Sequence, residues 1–436
     1  MTQTLLQVSF CLIAGLLLSR VAKKVNLPAV TAYLIAGLLI GPFFIGGLKI
    51  PMLGFASLEA VEEMKIVTQV ALGFIAFTIG NEFRLSQLKT MGKAAITVGI
   101  LQAVVTTIVV DIALVALHYI SPSVISIPSA ITLGAIASAT APAATLMVVK
   151  QYKADGPLTK LLLMVVAIDD AVGLIVFAAS FGIANALEQG SISVTSVVVE
   201  PLIEIVGSLL LGTICGILLN EIEIFFHSRS KRMSVSIAFV LLTVGLSSLE
   251  FEVGGVEIGF SLLLVCMMTG TVFCNICSAS EELMERVDGW TAPVNVLFFV
   301  LSGAELDLNV ISNPLVLLVG IIYIIARSTG KISGAFISCK MTKCEDKVTN
   351  NLGITLLPQA GVALGMAVTA ANLQDGAIVR NVVLFSVLVY ELVGPTMTKM
   401  ALTRAGEIKS EGRTHARREN VTQEKTVHKL HKLGQK

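Results

Sequence analysis

The stretch Leu161 to Ala186, LLLMVVAIDDAVGLIVFAASFGIANA, restricts this chain more than any other segment. At about 1.5 Å per helical residue it is long enough to cross a lipid bilayer. Its middle holds Asp169 and Asp170 side by side. A carboxylate near the bilayer centre costs about 2.5–3.5 kcal/mol even on lenient insertion scales. Such groups survive when they face a bundle interior or a wet cavity and hold something positive. The simplest positive things are a proton and a small cation, so the pair points to a transporter.

Composition agrees: 55% of the 436 residues are hydrophobic and 14% are charged. This is an all-α polytopic membrane protein rather than a soluble one with a large core. Thirteen apolar runs lie at roughly 4–19, 27–44, 66–80, 94–119, 125–149, 160–185, 199–220, 234–249, 256–274, 291–304, 312–338, 350–372 and 381–401. The first, Leu5 to Ser19, lacks a basic leader and runs into Arg20, so it reads as a span and not a signal peptide. With thirteen spans, all of the 31 Lys and Arg fall on one side except Lys49, Lys65 and Arg380 opposite and Arg327 and Lys331 within a span. A wrong span count would scramble that asymmetry. The positive-inside rule then places the N-terminus outside and the C-terminus in the cytoplasm of a cell bounded by this plasma membrane.

Seven cysteines are present. Cys274 and Cys277 have metal-like spacing, but no second Cys or His pair accompanies them, so no zinc site is expected. Residues 1–402 form the transmembrane domain. Residues 403–436 form a basic tail, too short for a nucleotide-binding domain and without a glycine fingerprint; it reads as solvated chain that touches anionic lipid. Nucleic acid is not an expected partner, and no cofactor is expected.

Thirteen divides as six, one and six, and the odd helix flips the second six into an inverted repeat. Span five, SAITLGAIASATAPAATLMVV, carries Pro142 in mid-span with Thr140 just before it. Span twelve, GITLLPQAGVALGMAVTAA, carries Pro358, Gln359, Gly361 and Gly365. Both are fifth members of their halves, and Pro breaks a helix by removing an N–H and clashing with the preceding turn. Paired interruptions predict two broken, crossing helices at the binding site. The sixth members carry acids: Asp169 and Asp170 in one half, Glu391 in the other. Span eleven holds Arg327 and Lys331, four apart on one helical face.

Neighbouring helical residues point about 100° apart, so the two Asp residues divide their work. One faces the cavity and binds the ion; the other turns to Arg327 or Lys331. Desolvation favours a protonated carboxyl and a nearby cation favours the ionised one. A balanced, cavity-facing Asp holds H⁺ or Na⁺ but not both, and that competition gives exchange. Thr140 and broken-helix carbonyls complete the ion's shell. Glu391, Gln359, Asn81 and Glu82 are secondary candidates; the last two are either a cytoplasmic funnel or a solvated helix end. Asp111 reads as structural, and His118 and His227 as solvated.

The chain resembles the bacterial Na⁺/H⁺ exchangers of the cation:proton antiporter-2 family over about residues 5–402. The resemblance rests on TAYLIAGLLIGP, ATAPAA, AIDDAVGL, IARSTGKISGA and LLPQAGVALG. It implies a homodimer with a dimerisation part and a mobile core, and an elevator-like motion that carries Asp170 between the two faces. It implies that Asp170 is the principal ion-binding acid and that Asp169 pairs with a base of span eleven. Related exchangers place one lysine opposite the first Asp; here Arg327 and Lys331 both fit. The long nucleotide-binding domain of the glutathione-gated potassium members is missing, which favours a simple exchanger of Na⁺ or Li⁺ for H⁺.

Other classes fare worse. An aspartyl protease needs two carboxyls facing across a gap from separate helices, and adjacent ones diverge. A channel needs a repeated filter loop, which is missing. The nearer rival is K⁺/H⁺ exchange.

Overall fold

The computed structural model describes residues 2–25, 27–48, 54–81, 85–189, 200–249, 251–253, 256–277, 279–306, 308, 312–370 and 373–408. The first half comprises α1 (Thr2–Lys24), α2 (Ala29–Ile40), the short α3 (Leu58–Glu62), α4 (Lys65–Asn81), α5 (Leu85–Ile120), α6 (Ile127–Ala137), α7 (Pro142–Tyr152) and α8 (Pro157–Gln189). A linker, α9 (Glu200–Ile224), leads to α10 (Arg229–Ser247), α11 (Leu262–Ile276), α12 (Ser280–Ala304), α13 (Pro314–Met341), α14 (Asp346–Thr355), α15 (Gly361–Thr369) and α16 (Gly376–Ala405). Counting α6–α7 and α14–α15 as one broken crossing each, and leaving out α3, the described residues form thirteen crossings, eight of them long and apolar enough to span a membrane. Among the described residues the strands form one small hairpin, Phe251–Val253 with Val256–Ile258. The ninth crossing therefore starts at Leu262, where Ser261 caps the helix, and not at residue 256. The last one runs to Ala405 and closes on Gly406 in the left-handed region, φ 78°.

The helices sort into two bodies. Helices α1, α2, α4, α10, α11 and α12 pack on one another; α5 to α8 pack with α13 to α16; α9 leans on α11. The first body contains the same crossing twice. In one copy, Cβ atoms at Gly37 and Gly303 would lie 1.9 Å from the Val300 carbonyl oxygen and 2.1 Å from that of Leu34. In the other, Cβ atoms at Gly80 and Gly270 would lie 1.9 Å from the Met267 oxygen and 2.1 Å from that of Phe77. Hydrocarbon gives helices no hydrophobic drive to associate, so bare glycine faces that let backbones touch supply the packing. The equivalent helices, α2 with α11 and α4 with α12, are seven crossings apart and run in opposite directions, which is the inverted repeat.

Candidate functional site

The centre of the second body is built from two breaks. Helix α6 ends at Ala137, and Ala141 before Pro142 is extended (φ −89°, ψ 103°), as a residue preceding proline prefers. Helix α14 ends at Thr355, and Pro358 lies in the second break. The breaks cross, and the Ala141 N–H donates to the Pro358 carbonyl at 2.8 Å. Each break leaves helix C-terminal carbonyls without partners and with partial negative charge. Arg327 answers both. Its Nε donates to Ala137 O at 3.0 Å, Nη2 to Ala139 O at 2.7 Å and Nη1 to Leu357 O at 2.7 Å. Its Cζ sits 4.5 Å from the centroid of the Tyr390 ring. Arg327 is wholly buried and forms no ion pair among the described residues, so the expected choice between two bases for one acid does not arise: the arginine serves backbone.

Gln359 also serves the crossing. Its amide donates to Ile136 O at 3.2 Å and to the Tyr323 hydroxyl at 3.0 Å, and accepts from Ser386 at 2.7 Å.

Lys331, one turn beyond Arg327, takes the acid. Its Nζ lies 3.1 Å from Asp169 Oδ2, 2.8 Å from Gln102 Oε1 and 2.8 Å from Thr140 Oγ1, and it also reaches Ser138 O. Asp169 accepts from the Gln102 amide and the Thr140 hydroxyl as well. Both ends of the pair are fully buried, and both carboxylate oxygens are engaged. Thr140, expected among the ligands of the ion, is thus spent on Asp169 and Lys331. The sequence marks Gln102 only weakly, as one amide in a run, 94–119, that also holds Thr106, Thr107, Asp111 and His118.

Asp170 turns away from this cluster. It is 5% exposed, and its Oδ1 is buried with no hydrogen-bond partner among the described residues. One turn on, a Cβ at Gly173 would come 3.5 Å from Ser138 Oγ, so this part of α8 lies against the first break. A cavity of about 1280 Å³ opens between the two bodies, lined by Tyr33, Leu146, Leu163, Met164, Val296 and Lys160 among others. Asp170 lies two turns beyond Leu163 on the same face of α8.

Of the secondary candidates, Glu391 and Asn81 are each 8% exposed, and Glu391 Oε2 and Asn81 Oδ1 have no hydrogen-bond partner among the described residues. Glu82 lies outside the described residues. Asp111 packs against α6 where Gly134 leaves room: a Cβ there would meet Asp111 Oδ1 at 1.8 Å. The His118 ring Nδ1 is 2.7 Å from Ile125 O.

The family model described as sodium/hydrogen exchanger, transmembrane, matches residues 8–404. Two structures of the sodium proton antiporter MjNhaP1 from Methanocaldococcus jannaschii are similar in fold. One, at pH 8, has TM-score 0.66 and 20% identity; the other, an electron-microscopy map, has TM-score 0.68 and 19% identity. Each covers 92% of this chain and 97% of the other. K(+) efflux antiporter 5 of Arabidopsis thaliana is 33% identical over 95 residues, which is 22% of this chain and 14% of that protein.

Proposed function

The chain belongs to the sodium/hydrogen exchanger family, and on that premise we propose that Asp170 is the carboxylate a sodium ion and a proton occupy in turn. The observation that carries this is the division between neighbours: Asp169 has both oxygens engaged, while Asp170 keeps a buried oxygen unpartnered among the described residues. A buried acid without a partner is where an arriving positive charge is worth most. Because H⁺ and Na⁺ share it, apparent cation affinity falls as pH drops, and saturating Na⁺ restores the maximal rate.

Lys331 supplies the coupling. A cation beside Asp170 adds positive charge near its ammonium, and a buried lysine, unlike an arginine, can release its proton in response. Asp170 and Lys331 then give up two protons for one Na⁺, and transport moves charge. The lysine-rich face is the cytoplasmic one in a plasma membrane, with the N-terminus outside. The seam between the two bodies is where the second body slides, so that Asp170 meets each face in turn, and a homodimer steadies the first body.

Asp170→Asn keeps the shape and removes the shared charge. In everted vesicles given Na⁺, Li⁺ and K⁺ pulses, it should lose exchange with all of them while expressing and melting like the parent. Retained exchange sinks the assignment. In the parent, the same pulses separate sodium from the rival potassium. Purified protein in liposomes on a capacitive electrode should give a Na⁺-dependent current at zero applied potential. Vigorous exchange without current refutes the lysine step.

A further inference from the structure

The inverted repeat assigns a partner to Asp170. Three residues after Asp170 on α8, Gly173 abuts Ser138 of the first break. Three residues after Glu391 on α16, Gly394 abuts the second break, where a Cβ would lie 3.0 Å from Pro358 Cγ. Helices α8 and α16 are the sixth members of their halves, so Glu391 is the repeat mate of Asp170, and Tyr390 that of Asp169.

The mates share their isolation. Glu391 is more than nine-tenths buried, with one oxygen unpartnered among the described residues. Of the helices packed on α16, α2, α6 and α15 have no charged residue, whereas α7 carries Lys150, α8 Lys160, Asp169, Asp170 and Glu188, α13 Arg327, Lys331 and Lys340, and α14 Asp346 and Lys347. Arg327 lies against the neighbouring Tyr390 ring and is committed to three carbonyls. The acid that acts electrostatically on Glu391 is Glu305, just past the end of α12 on the lysine-poor face. Glu305 in turn feels Glu62 and Lys65 on that face. Burial first and then Glu62 push the Glu305 carboxyl up to about 7, against the pull of Lys65, so it exchanges protons near neutrality.

We propose that Glu391 is a second proton-binding site, served from the lysine-poor face past Glu305, whose protonation gates the sliding of α16 along α2. A lone carboxyl in apolar packing suits a proton. Sodium needs several oxygen ligands, and among the described residues no hydrogen-bonding group reaches Glu391 Oε2. An ionised Glu391 resists the travel of α16 because a bare charge in its buried surroundings is costly. A protonated one crosses it. This rests on the orientation and exchange activity proposed above.

The test uses right-side-out vesicles with internal pH and Na⁺ clamped and external pH varied. The parent's exchange rate should depend on external pH, and Glu391→Gln, permanently neutral, should lose that dependence. An unchanged external-pH profile overturns the proposal. Purified protein in cation-free buffer gives an independent reading: on acidification, Glu391→Gln should bind one proton fewer than the parent, also in an Asp170→Asn background. That difference needs no transport, so it survives if the exchange reading fails, and equal proton uptake refutes the site. Glu391→Met should be at least as heat-stable as the parent, since it removes an uncompensated buried acid. Loss of folding in both variants shows a structural carboxyl and ends the proposal.

Discussion

The two repeats use one scaffold for two kinds of chemistry. In the first, α8 brings Asp169 to Lys331, Gln102 and Thr140, a cluster in which each charge has its partner. In the second, α16 brings Tyr390 to the equivalent place, where its ring covers Arg327 and its hydroxyl meets Ser328 at 2.7 Å and Ile324 O at 2.9 Å. The following residue, Asp170 or Glu391, faces away in both. At these equivalent places each half presents an acid with an oxygen unpartnered among the described residues, while the one lysine of the cluster, on α13 of the second half, is paired with Asp169 of the first. The symmetry makes the frame, and the departures from it decide which charges are paired.

The largest way to break this contrast is to strand one charge of the pair. Asp169→Asn leaves the Lys331 ammonium buried beside an amide. Removing one partner of a buried ion pair costs about 3–5 kcal/mol, and a thermal-shift assay should show a large drop in melting temperature. Melting equal to the parent would mean that Asp169 and Lys331 do not depend on each other.

A smaller effect sharpens the symmetry itself. Gly37→Ala and Gly270→Ala each push a methyl into a facing carbonyl, at 1.9 and 2.1 Å, and overpacking of this kind costs about 1–3 kcal/mol. Their losses should match. A large loss at one and none at the other would show that the two crossings bear different loads.

The smallest concerns pH. The Glu305 carboxyl is held above its ordinary value in the folded protein. Its contribution to stability is therefore full below the unfolded-state pKa of 4.5 and lost as pH rises through about 7. Glu305→Gln should flatten that part of the melting-temperature profile against pH. An unaltered slope would place the titration on another group.

Much of this protein was determined by its sequence alone. Hydrocarbon tolerates spanning segments only as helices with satisfied backbones, so each of the thirteen apolar runs holds a helix or a broken helix among the described residues, eight of them long and apolar enough to span a membrane. The prolines at 142 and 358 became breaks because a missing N–H and a ring clash act locally. An acid pair in an apolar run marked a candidate site because its cost had to be offset somewhere, and for Asp169 Lys331 offsets it.

Which base met which acid was another matter. Arg327 and Lys331 share one face of α13, and spacing treats them alike. Only the assembled crossing shows that one turn places a flat guanidinium among three carbonyls and the next places a point charge beside Asp169. Gln102, distant in sequence, joined the cluster only when α5 packed on α13. The repeat of glycine contacts was likewise hidden, since each needs one bare face and leaves the residues around it free to vary. Local rules of helix, bilayer and proline act along the chain and can be read from it. The pairing of charges depends on distances between helices far apart in the sequence, and those exist only in the packed molecule.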